Sequence, residues 1–116
     1  MSIIKQILGK RSEPKPVPPE LQGLKRLYQR FVTLLPAKER DIYSLTLKQR
    51  ELLGDVLDAI GMECEALGRQ SDAYSVKPLI TEAESLAHQI RIGRGTVHQQ
   101  ILRLRKALDQ LVPLEG

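Results

Sequence analysis

The stretch SLAHQIRIGRGTVHQQILRL, Ser85 to Leu104, admits two structural readings. In the first it is two short helices joined by a tight turn. In the second it is one long helix interrupted by Gly93 and Gly95. Ala83, Ala87, Ile90, Arg94, Val97, Ile101, Leu104, Leu108 and Leu111 are spaced 4, 3, 4, 3, 4, 3, 4 and 3, a heptad phase that passes through both glycines. That register favours a continuous bundle or coiled-coil helix. Against continuity, each glycine costs about 1 kcal/mol relative to alanine in a helix interior. Both readings stand on the sequence, over residues 79–112.

Outward from this stretch, the chain reads as helical almost throughout from Glu20. Leu21, Leu24, Tyr28, Phe31 and Leu35 recur at helical spacing, and Pro36 ends that segment. A short helix or turn over AKERDIYSL follows. Thr46 and Gln49 form a capping box ahead of the stripe Leu53, Leu57, Ile60, Cys64 and Leu67, with Gly68 placed to end the helix. Residues 69–78, RQSDAYSVKP, read as a loop. Thr81 and Glu84 supply a second capping box, and Pro113 stops the last helix. No segment alternates with period two. The expected fold is all-α, a bundle of about four to five helices with a proline-rich N-terminal arm. Pro14, Pro16, Pro18 and Pro19 mark residues 1–19 as arm and stiff linker, and 20–116 form a single helical domain.

Composition excludes several classes of function. A chain of 116 residues with 41% hydrophobic content holds one cored domain. No apolar run approaches the ~18 residues of a membrane span, and the N-terminus lacks a signal-peptide core, so a cytoplasmic protein is expected. Cys64, the single cysteine, has no partner for an internal disulfide and no neighbours at metal-ligand spacing; it reads as a core residue. His88 and His98 stand ten residues apart without an H-E-x-x-H arrangement, and no phosphate loop is present. Glu51, Asp55, Asp58, Glu63 and Glu65 line the exposed side of a helix. No catalytic residue, metal site or cofactor is expected, and the chain does not read as an enzyme.

The net charge of +4 is unevenly placed. Residues 1–15 carry four basic groups against one acid, and Arg91, Arg94, Arg103, Arg105 and Lys106 fall in 91–106 with no acid among them. Such a segment attracts polyanions by releasing their counterions, which makes nucleic acid a candidate partner. A solvated helix face is the plainer explanation of the same run.

The order of residues in 85–104 resembles the helix-turn-helix core of bacterial DNA-binding proteins. Leu86 and Ala87 match its first helix, Ile90 the buried end of that helix and Ile92 the aliphatic of the turn, while Arg94, Thr96, Val97 and Ile101 match the second helix. The turn position that the family gives to glycine is held by Arg91. The resemblance implies a second helix beginning near Arg94, with Arg91, Arg94, Thr96, His98, Gln99 and Arg103 facing base edges and phosphates of double-stranded DNA. It implies a transcriptional or replication regulator, and Leu104, Leu108 and Leu111 would supply the seam of a homodimer. The alternative is a non-catalytic helical-bundle adaptor or assembly subunit. Its partner protein would meet Ile3, Ile4, Ile7 and Leu8, which share one face of a short helix held on the proline spacer.

Overall fold

The computed structural model describes residues 17–114. Ile3, Ile4, Ile7 and Leu8, the expected docking segment, lie outside the described residues. Four α-helices follow in order: α1 (Pro19–Leu34), α2 (Leu47–Gln70), α3 (Lys77–Ile92) and α4 (His98–Leu111). A 3-10 helix, Glu39–Ser44, lies between α1 and α2. The fold is all-α, with no strand among the described residues. No helix among them is long and apolar enough to cross a membrane.

Each helix starts and stops for a local reason. Pro19 opens α1, where its missing N–H removes no hydrogen bond. The helix stops at Leu34 because Leu35, preceding Pro36, is held extended. In α2 the expected capping box is complete: Gln49 N–H donates to Thr46 Oγ1 at 3.1 Å and Thr46 N–H donates to Gln49 Oε1 at 2.9 Å. Gly68 does not end α2, which continues to Gln70. Val76 Cγ2 stands 3.0 Å from where a Gly68 Cβ would be, so this glycine admits the returning chain instead of stopping the helix. The loop is accordingly 71–76, shorter than the sequence suggests. Thr81 and Glu84 are not a cap. The helix begins earlier, at Lys77, because Pro78 is tolerated in a first turn whose N–H groups have no intrahelical acceptor.

The most extensive helix packing is between α2 and α3. Arg91, near the end of α3, meets Asp55, near the start of α2, so the pair is antiparallel. α1 rests on α2 and α4 on α3. Tyr28 joins the two outer helices: its hydroxyl donates to Asp109 Oδ1 at 2.6 Å, with the Arg105 carbonyl at 3.2 Å. One apolar cluster runs through all four helices, with Tyr28, Phe31, Leu57, Ile60, Leu86, Ile90, Ile101, Leu104 and Leu108 fully buried within it. Side chains of this size each contribute roughly 1.5–3 kcal/mol on burial.

Residues 85–104 are two helices, not one. α3 ends at Ile92, Gly93 takes the left-handed conformation (φ 72°, ψ 32°), Gly95 has φ 90°, and α4 begins at His98. The heptad phase survives the break because α3 and α4 turn their apolar faces to the same core; the backbone does not continue. Leu104 and Leu108 are fully buried in that core, and Leu111 packs partly buried against it. The seam expected to join two copies is therefore used within one.

Candidate nucleic-acid interface

The turn between α3 and α4 is held from four sides. The Gln89 carbonyl accepts from Gly93 N–H (3.0 Å) and Arg94 N–H (3.3 Å), a left-handed glycine cap on α3. Arg50, reaching across from α2, donates Nη1 to the Ile90 carbonyl at 3.1 Å and places its cation at the negative end of the α3 dipole. Tyr43, from the 3-10 helix, donates its hydroxyl to the Arg94 carbonyl. Val97, buried, anchors the far side, and Ile101 N–H donates to its carbonyl at 2.9 Å.

This geometry moves the turn from the register implied by the family resemblance. Arg91 is not the turn residue. It belongs to the last turn of α3, and no residue other than glycine has positive φ among the described residues. A left-handed backbone brings Cβ too close to the following carbonyl, which glycine alone avoids, so the helix continues two residues to Gly93. The second helix likewise begins at His98, not near Arg94. Arg94 and Thr96 sit in the connecting turn.

The six residues expected to face DNA therefore divide into three groups. Arg91 turns to α2, with Nη2 at 2.7 Å from Asp55 Oδ1 and Nη1 at 2.8 Å from Asp58 Oδ2. Hydrogen bonding to Asp58, then to Asp55, holds its pKa above the ordinary arginine value. The acidic face of α2 is thus partly a receptor for Arg91, which lies over Gly54. A Cβ on Gly54 would stand 2.6 Å from Arg91 Nε. Arg103 projects from α4, but Nη2 meets Glu82 Oε1 of α3 at 3.0 Å. Arg94, Thr96, His98 and Gln99 form the third group, at the turn and the first turn of α4. Arg94, Thr96 and Gln99 are exposed and His98 half-buried.

α4 buries Ile101, Leu104 and Leu108 and turns Gln99, Leu102, Arg103, Lys106, Asp109 and Gln110 outward. From Ser85 to Leu108 the chain contains no acid. No side chain caps the N-terminus of α4, since Val97 occupies the cap position. Lys106 is absent from the six residues that the resemblance points to; its place on this face follows from the phase of the buried leucines.

A second group of cations escapes sequence reasoning. Leu21 to Lys38 is also free of acid and carries Lys25, Arg26 and Arg30 on α1. The signal is present, but a charge count over 16–69, eight basic and eight acidic residues, averages it away.

Neither family models, nor curated proteins, nor solved structures yield a significant match to this chain.

Proposed function

We propose that this chain is a small helix-turn-helix DNA-binding protein, with transcription or replication regulation as its task. The observation that carries the reading is the glycine break at Gly93–Gly95. It separates α4 from α3 and leaves α4 a solvent-facing side of Gln99, Leu102, Arg103 and Lys106 without an acid from Ser85 to Leu108. Gln99, in the first turn of α4, is suited to an adenine edge, and Arg94 and Lys106 to phosphates on either side of it. The uncapped N–H groups at the start of α4 favour an anion there. Arg103 can exchange Glu82 for a phosphate, because an exposed ion pair is worth less than about 1 kcal/mol. Arg91 is left out of the interface because two carboxylates, Asp55 and Asp58, hold its guanidinium, against the single Glu82 on the more exposed Arg103.

The reading is tested by titrating the protein with random-sequence duplex DNA over a range of salt. Binding at about 50 mM salt, with log K falling linearly against log salt, is expected. Arg94→Ala combined with Lys106→Ala should make that slope shallower by about one unit for each phosphate no longer neutralised. No binding by the wild type, or an unchanged slope in the double variant, rejects it. A protein-binding adaptor is the second reading, favoured by Leu47, Met62, Ile92 and Leu102, which are each more than half exposed. They lie on three different helices, and singly exposed apolar residues are ordinary on a protein surface.

A further inference from the structure

We infer that the DNA-binding surface extends from α4 onto α1, and that Lys25, Arg26 and Arg30 hold phosphates flanking the groove that α4 enters. This rests on the DNA-binding reading of α4 and adds to it a second element, outside the residues 85–104 that carry the family resemblance.

The two segments without acid, 21–38 and 85–108, lie far apart in sequence. Tyr28 brings them together through its hydrogen bonds to Arg105 and Asp109, placing the middle of α1 beside the second half of α4. Charge is sorted by element. α1, the α3–α4 turn and α4 carry Lys25, Arg26, Arg30, Arg94, Arg103, Arg105 and Lys106 against Glu20 and Asp109 alone. Both of those carboxylates already accept tyrosine hydroxyls, Glu20 from Tyr74 at 2.8 Å and Asp109 from Tyr28. Of the acids on α2 and α3, Asp55 and Asp58 hold Arg91, and Glu82 holds Arg103.

On α1, Leu21, Leu24, Tyr28 and Phe31 face the core, which turns Gln22, Arg26, Gln29, Arg30 and Thr33 to solvent with Lys25 at the margin. Arg26 and Arg30 are one turn apart on that face and form no ion pair among the described residues. A shallow depression of about 320 Å³ lies there, lined by Val17, Gln22, Lys25, Arg26 and Gln29. Amides, guanidiniums and an ammonium with no acid among them suit a phosphodiester backbone, which presents only acceptors. From α2, Glu63 approaches α1: its Oε2 lies 3.2 Å from the Cβ position of Gly23, toward the start of the helix.

The experiment compares three full-length proteins on one random duplex: wild type, Lys25→Ala/Arg26→Ala/Arg30→Ala, and Arg94→Ala/Lys106→Ala. Helical content and melting temperature are followed in parallel; removing these cations, none of which forms an ion pair among the described residues, should leave both nearly unchanged. The expected result is a shallower slope of log K against log salt in each variant, by about 0.9 for each phosphate no longer neutralised and hence about 2 units or more for the α1 variant. If the α4 variant weakens and the α1 variant matches wild type, the extension onto α1 is overturned and the α4 reading stands. If the α1 variant weakens and the α4 variant does not, the joint footprint is overturned. If wild type fails to bind, both fall together. A loss of helical content in the α1 triple variant is met by Arg26→Gln/Arg30→Gln, which keeps the length and polarity of the helix face; an unchanged slope there overturns the inference.

Discussion

The Cβ that Gly93 lacks would stand 2.6 Å from Nη1 of Arg50, the same nitrogen that caps the Ile90 carbonyl. The backbone therefore demands glycine at this position, and a Cβ would in addition push the tip of Arg50 off the carbonyl it caps. Gly95 is held similarly, by φ 90° and by Gln89 Oε1 at 2.7 Å from its Cβ position. Gly93→Ala and Gly95→Ala should each destabilise the protein, by about 1–2 kcal/mol for a left-handed alanine. Thermal unfolding checks this, with about 4–8 °C expected per kcal/mol in a domain of this size. A rise in melting temperature would mean that the segment is one continuous helix after all.

Arg91→Ala separates stability from binding. Asp55 and Asp58 are 70% and 47% exposed in their side chains, so the loss should be no more than about 1 kcal/mol at low salt and smaller in high salt. The salt slope for duplex DNA should not change, because the guanidinium faces α2. Urea titrations at two salt concentrations measure the first effect, and a shallower slope would return Arg91 to the interface. Gly54→Ala should have a similar consequence for stability, since its Cβ would displace the Arg91 side chain.

Cys64 makes stability depend on alkaline pH. Burial pushes its thiol up to about 11, above the ordinary range near 8.5. Between those values the unfolded chain releases a proton that the folded chain retains, so the unfolded state binds fewer protons and stability falls as pH rises. The contribution is complete below the unfolded pKa and is lost on passing through the folded one. Denaturant midpoints measured from pH 8 to about 11 should decline for wild type and decline less for Cys64→Ala. Equal declines would show that other groups account for the effect. Alkylation of the thiol should proceed only as fast as the protein opens.

Tyr28→Phe keeps the buried ring and removes the hydroxyl bridge to Asp109 and Arg105. A loss of about 1–2 kcal/mol is expected, toward the upper end because one acceptor is a carboxylate. Asp109→Asn and the double variant complete a cycle. A coupling near zero between the two positions would show that the hydroxyl takes another partner in solution.

The helices are legible because their signals are short-range. The stripe from Leu21 to Phe31, the Thr46–Gln49 box and the stops at Pro36 and Pro113 are patterns of residues within about a turn of one another. Two local cues mislead because each has two physical uses. Gly68 has the character of a helix stop, but here it admits Val76. Thr81 and Glu84 have the spacing of a cap, but Pro78 has already begun the helix.

By itself the sequence determined an all-α domain, its core stripes and the acid-free segment at 85–108, since periodicity and composition act through neighbours along one helix. Only the tertiary structure decided which charges face solvent. Arg91 finds Asp55 across 36 residues, Arg103 finds Glu82 across 21, and Tyr28 finds Asp109 across 81. The heptad spacing is indifferent to whether one helix or two supply it. Arg50 crossing from α2 onto the end of α3, and glycine's freedom at positive φ, decided for two. Pairings at such separations arise from the packing of helices against one core, and no local pattern encodes them.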